Sequence, residues 1–166
     1  MIAYDIVPIS DEHIAGFREA VDFVAKERKY IVFFEAPPLE ETKKYVHNMI
    51  KNGLPHFVVV SDGKVVGWCD VQRGDRQMHA HRGTLGIGLL PAFRGKGIGR
   101  KLLTKTIEAA FACGMTRIEL TVKEPNKNAL ELYKKVGFEV EGFHKNACLI
   151  DGVYINNYSM AIVKAQ

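Results

Sequence analysis

The chain has no disulfide framework. Its three cysteines, Cys69, Cys113 and Cys148, are odd in number, far apart and in no metal-ligand spacing, so reduced thiols in a reducing compartment and no bound metal are expected. No apolar run approaches the ~20 residues of a membrane helix. Residues 1–6 lack the basic region and long apolar core of a secretory signal. A cytoplasmic location without a membrane partner follows as the expectation. Repeats, low-complexity tracts and linkers are also lacking. Excess charge is small, +4, and no basic stripe interleaves with aromatics, so no nucleic-acid partner is expected. A mildly positive balance suits a small acidic ligand instead. What remains is an ordinary globular composition over 166 residues, enough for one domain, 1–166, with one sizeable core.

Periodicity gives the order of elements. Residues 2–9 alternate as a strand, and Ser10 then serves as N-cap to a helix over 11–26 with Ile14, Phe17, Val21 and Val24 on one face. Pro37-Pro38 breaks the chain, and a second helix ends at Asn52-Gly53. Residues 56–60 and 65–71 flank Asp62-Gly63, a hairpin signal, because Asp-Gly supplies the positive φ of a tight primed turn. His79 to Leu90 reads as a central strand with Gly86 and Gly88 inside it, and interior strand glycines point to a bulge or a close backbone approach. A helix from Ile98 stops at Gly114, and residues 117–122 form a strand. A helix opened by Pro125-Asn126 runs to Val136, and a strand follows through Phe143. Asp151-Gly152 then joins residues 148–150 to a last strand, 154–163. The order is β-α-α-β-β-β-α-β-α-β-β.

The stretch from Pro91 to Lys101 separates the fourth strand from the third helix and reads as an anion cradle. Gly95, Gly97 and Gly99 let the backbone turn its N–H groups toward one point. The helix start adds partial positive charge, and Arg94, Lys96, Arg100 and Lys101 add full charges, so a phosphate-bearing ligand fits. The P-loop spacing fails, because Gly97 follows Gly95-Lys96 and Leu90 stands five before Gly95. The dinucleotide fingerprint fails as well, because Arg100 occupies its last glycine position.

Arg94-x-x-Gly97-x-Gly99 resembles the Arg/Gln-x-x-Gly-x-Gly/Ala motif by which the GNAT superfamily of N-acetyltransferases holds the pyrophosphate of acetyl-CoA. Asn126-x-x-Ala129-x-x-Leu132-Tyr133-x-x-x-Gly137-Phe138 is similar to the second signature of that superfamily. The second half of the chain, from about residue 82 to 163, also resembles bacterial members that acetylate free amino acids. The resemblance implies an α/β (α+β) fold: a mixed, mostly antiparallel twisted sheet of about seven strands with four helices, splayed between strands 4 and 5. The pantetheine arm would lie in that opening like an added strand. Acetyl-CoA is then the cosubstrate, held by Leu89, Leu90, Arg94, Gly95, Lys96, Gly97, Ile98, Gly99, Arg100, Asn126, Ala129 and Tyr133.

The implied reaction is direct attack of a neutral amine on the thioester carbonyl. The backbone N–H of Leu89 or Leu90 is expected to hold the carbonyl oxygen as it gains charge. Tyr133, whose phenol has a reference pKa of ~10, is assigned to protonate the leaving sulfur. Glu35, Asp70, His79, His81 and Glu119 are the candidate bases, with Glu119 or Glu35 placed first. The acceptor is expected against residues 27–38, where Arg28, Tyr30, Phe34 and Glu35, with Asp70, offer contacts to a small-molecule amine. A free amino acid, a polyamine, a peptide N-terminus and an aminoglycoside all remain acceptors, and a sensor that binds acyl-CoA without turnover is the alternative. The apolar last strand also offers a surface on which a homodimer could form.

Overall fold

The computed structural model describes residues 1–166. Its sheet is built from β1 (Asp5–Pro8), β2 (His56–Ser61), β3 (Lys64–Arg73), β4 (Arg82–Leu89), β5 (Arg117–Lys123), β6 (Glu139–Ile150) and β7 (Val153–Val163). The strand order is β1-β2-β3-β4-β5-β7-β6, and every neighbouring pair is antiparallel except β4 with β5. The four helices are α1 (Ile14–Lys26), α2 (Leu39–Lys51), α3 (Ile98–Ala112) and α4 (Lys127–Val136). No helix is long and apolar enough to cross a membrane.

Strand alternation divides the core in two. Phe17, Val21 and Val24 of α1 and Val46 of α2 cover one face of the sheet, against Val58, Val65 and Trp68. Leu102, Leu103 and Ile107 of α3, with Tyr133 of α4, cover the other, against Cys69, Val71, Leu85, Ile118, Leu120 and Val122. The Asp-Gly signals hold: Asp62 and Gly63 have φ of 48° and 73°, Asp151 and Gly152 have 51° and 77°, and each pair makes a tight primed turn.

Several element boundaries differ from expectation, β1 among them, which spans Asp5–Pro8 rather than residues 2–9. Strand β4 begins at Arg82 rather than His79, because residues 77–79 coil into a 3-10 turn. The first helix is preceded by its own 3-10 turn at residues 11–13, where His13 reaches back to the Ser10 N–H at 3.1 Å. The strand expected to stop at Phe143 continues to Ile150, because an irregularity between His144 and Cys148, with Asn146 at φ 52°, bends the ladder without ending it.

The sheet opens between its two parallel strands. Pairing of β4 with β5 is confined to Arg82↔Arg117, Gly83↔Ile118 and Thr84↔Glu119, whereas β4 stays paired with β3 up to Leu89↔Gly67. Residues 85–89 therefore have a ladder partner on one side only. This is the splay expected between strands 4 and 5.

Candidate active site

The direction of the β4 amides follows from register. Leu90 donates its N–H to the Val66 carbonyl at 2.9 Å, so positions 66 and 90 form a hydrogen-bonded pair. In an antiparallel ladder such pairs alternate with positions whose backbone groups point away. Leu89 and Ile87 are those positions, and their N–H groups face the opening, where β5 has already diverged. Of the two amides considered for an oxyanion, that of Leu90 is committed to β3 and that of Leu89 is directed into the gap.

At the end of β4 the chain passes through a short turn, residues 91–93, into the glycine loop. Gly95 and Gly97 have φ of +70° and +80°, and a Cβ on either would meet nothing within 4 Å. The loop thus presents bare backbone to open space. Lys96 and Arg100 are exposed beside it, whereas Ile98 is buried and anchors the first turn of α3 in the core. The leading N–H groups of α3 have no partner within the helix and point toward the same space. Gly99 packs where Leu89 and Leu132 converge, each 3.5 Å from the position of an added Cβ.

The Arg94 side chain points elsewhere. Its Nε donates to the Leu89 carbonyl at 2.8 Å, its fork grips both Glu27 oxygens at 3.0 and 2.6 Å, and it lies over the Tyr30 ring at 4.6 Å. Asn126 caps α4, its Oδ1 accepting the Ala129 N–H at 3.4 Å, which leaves its Nδ2 as the group able to meet a ligand. About two turns further along, Tyr133 is buried edge-on against Phe138 at 5.8 Å, with no protein partner for its hydroxyl. Burial, with Cys69 nearby, pushes the phenol above its ordinary pKa and so keeps it protonated.

The candidate bases separate by position. His79 lies outside β4, and His81 precedes its first residue. At ~3.3 Å per residue, His81 is about 25 Å of strand from Leu89. Glu119 is level with Thr84, about 16 Å of strand below Leu89, and both its oxygens are held by Arg82 and Arg117. Burial alone would raise its pKa, but the two guanidinium groups reverse that and hold it below the usual carboxylate range. Glu35 is exposed on the α1–α2 loop, with no ion-pair partner. Asp70 is buried beside Gly86, three residues before Leu89, on the face covered by α1 and α2. The hydroxyl of Tyr45 donates to its Oδ2 at 2.8 Å. Burial raises the carboxyl to about 7, against the lowering effect of the Tyr45 and Gly86 hydrogen bonds.

The loop between α1 and α2 folds over the opening and is fastened at several points. Arg28, at φ 58°, grips both oxygens of Asp151 in the β6–β7 turn at 3.0 and 2.7 Å and stacks on Phe34 at 3.9 Å. Its guanidinium therefore serves this crossing rather than standing free for a substrate carboxylate. Lys123 donates to the Ile31 carbonyl at 3.3 Å. Tyr30, Phe34 and Glu35 are thus gathered on one loop, with Asp70 below it in the sheet. Sequence reasoning passed over Glu27, Tyr45, His56 and Lys123. For Lys123 a signal existed, since period two through residues 117–123 places it on the face of Glu119 and Thr121.

Residues 20–138 match the family described as Acetyltransferase (GNAT) family. The chain belongs to that family. An L-amino acid N-acetyltransferase of Escherichia coli K12 is 35% identical over 113 residues, covering 68% of this chain and 70% of the relative. A spermidine N(1)-acetyltransferase of the same organism is 28% identical over 142 residues, covering 84% and 72%. The fold superimposes on an acetyltransferase from Salmonella typhimurium, solved with its cofactor acetyl-CoA, with a TM-score of 0.93 over 99% of this chain and 95% of that one, at 19% identity. The GNAT fold and membership of a family of N-acetyltransferases are thereby established.

Proposed function

We propose that this GNAT protein transfers an acetyl group from acetyl-CoA directly to the primary amine of a small molecule, with a free amino acid as the acceptor. The observation that carries the reading is the Leu89 amide, turned by register into an opening that ends at a loop of bare, positive-φ backbone. Acetyl-CoA supplies an activated acyl group there. The N–H groups of Gly95, Lys96, Gly97, Ile98, Gly99 and Arg100 cradle its pyrophosphate, and Asn126 Nδ2 and the edge of β4 hold its arm. The empty space at Gly95 and Gly97 fits such a ligand, because a side chain at either position would fill it.

Each chemical task then falls to a residue of this chain. Leu89 offers its N–H where negative charge develops on the carbonyl oxygen. Tyr133, kept protonated by burial, gives a proton to the departing sulfur and regains one from the newly acylated nitrogen. Asp70 receives the proton that an ammonium must lose before its nitrogen can attack, through water along the face of β4. A carboxyl raised to about 7 suits that exchange near neutral pH, whereas the clamped Glu119 does not. An acyl-CoA sensor is the second reading; the buried phenol without a protein partner favours turnover, since a sensor needs no acid beside the sulfur. A thiol-release screen with acetyl-CoA against amino acids, polyamines, aminoglycosides and peptides decides between them. Release with amino acids supports the reading, and release with none of these amines favours the sensor.

A further inference from the structure

Four arginines border the opening or the loop above it, and each is matched to a carboxylate: Arg28 to Asp151, Arg82 and Arg117 to Glu119, and Arg94 to Glu27. Lys123 is the exception. It is half-buried, it forms no ion pair, and its Nζ contact is the Ile31 carbonyl at 3.3 Å. Burial pulls its pKa down, with Cys148 the opposing influence. An ammonium carries three donors, so two remain to be met. A half-buried cation without a counter-charge is costly unless something brings that charge.

Its position in the sheet says where the charge would come from. Ile118, Leu120 and Val122 point into the α3 side of the core, so Glu119, Thr121 and Lys123 project on the opposite face, beneath the α1–α2 loop. Strands β4 and β5 run in parallel from Thr84↔Glu119, and four residues further along stand Gly88 and Lys123. Lys123 is therefore level with the end of β4, across the gap from the Leu89 amide. A side chain at Gly88 would overlap the Trp68 ring, so the wall facing Lys123 there is flat indole and backbone.

We propose that Lys123 receives the carboxylate of the acceptor, which makes that acceptor an α-amino acid, with its amine one carbon away and turned toward Leu89. The proposal rests on the acetyltransferase reading above. A polyamine brings only cations and meets Lys123 as a like charge, and a peptide N-terminus or an amino-acid amide brings a neutral carbonyl in place of the carboxylate. Arg28, bound to Asp151, holds the loop in place so that the Ile31 carbonyl can orient the lysine.

The test compares the twenty L-amino acids, their amides and spermidine as acceptors for the wild-type protein and for Lys123→Met and Lys123→Arg, following thiol release from acetyl-CoA. Wild type is expected to use at least one amino acid more than tenfold better than its amide. Lys123→Met should raise KM for that amino acid by about tenfold or more, as loss of a charge-assisted bond implies, with kcat within about twofold. Its kcat/KM for the amide should not change, and Lys123→Arg should keep most of the preference. Calorimetric binding of the amino acid in the presence of CoA should weaken in the same proportion, and an unaltered thermal shift with acetyl-CoA verifies that Lys123→Met is folded. Preference for spermidine or amides, or equal loss on amino acid and amide in Lys123→Met, overturns the assignment. Absence of thiol release with every amine overturns the acetyltransferase reading and this assignment with it.

Discussion

His56 faces Asp70 from the neighbouring strand with its Nε2 3.8 Å from Oδ2, and neither of its ring nitrogens has a hydrogen-bond partner. Phe17 stands edge-on to the imidazole at 4.7 Å and Tyr45 at 5.9 Å, so the ring sits among aromatics, and burial lowers its pKa to about 3. The two residues titrate in opposite senses. Asp70, raised from 3.8 to about 7, contributes stability that is complete below about pH 4 and lost as pH rises through 7. His56, lowered from 6.5, contributes stability present above about pH 6.5 and lost as pH falls toward 3. Between about pH 4 and 6.5 the two slopes offset each other. In Asp70→Asn the histidine acts alone, so the variant should lose Tm between pH 6.5 and 4 while the wild type holds, and should match or exceed it at pH 8. Parallel Tm curves for the two proteins across that range would remove the coupling.

The same carboxyl should appear in the rate. If Asp70 takes the amine proton, kcat/KM rises with pH through about 7 in the wild type. Asp70→Asn should lose that limb and about 10²-fold or more in rate, the usual worth of a positioned base. Glu119→Gln, which removes a clamped carboxylate far down the strand, should retain the limb. A limb that persists in Asp70→Asn assigns the proton to another group.

Tyr133→Phe keeps the ring against Phe138 and removes the hydroxyl alone. Turnover should fall by about 10²-fold while the dissociation constant for acetyl-CoA stays within about twofold, since the phenol acts on the leaving sulfur rather than on binding. Stopped assays with an acetyl thioester of a more acidic thiol should shrink the deficit, because that leaving group needs less help. An unchanged turnover takes Tyr133 out of the chemistry.

Glu27 holds the Arg94 fork in a bidentate grip. If the pyrophosphate draws on that guanidinium, Glu27 competes with it, and Glu27→Gln should tighten acetyl-CoA binding by about threefold or more. Titration calorimetry at low salt reads the difference. Weaker binding in Glu27→Gln, together with a lower Tm, shows that the pair instead shapes the loop and persists with the ligand bound.

Most of the sheet was legible because its signals are local. Asp62-Gly63 and Asp151-Gly152 dictate their turns through φ alone, and Gly97 and Gly137 mark helix ends with positive φ. The glycine loop and the Asn126–Tyr133 face could be read for the same reason, each lying within one stretch of chain. The acceptor side could not, because its contacts are made between residues distant in sequence. Arg28 and Asp151 are 123 positions apart, Arg94 and Glu27 are 67, and nothing in either neighbourhood announces the other. The choice between Leu89 and Leu90 needed the ladder register, which a sequence does not print. His79 was misplaced because residues 77–79 coil against Gly74, at which a side chain would strike His79.

Glu27 and Arg28 are neighbours with opposite charges pulled in opposite directions, one toward the glycine loop and the other toward the β6–β7 turn. The peptide unit between them, with Arg28 at φ 58°, is therefore tied to two remote parts of the molecule at once. Added salt, which screens exposed charge pairs, should therefore weaken both ties together while leaving the hydrocarbon core beneath them as it is.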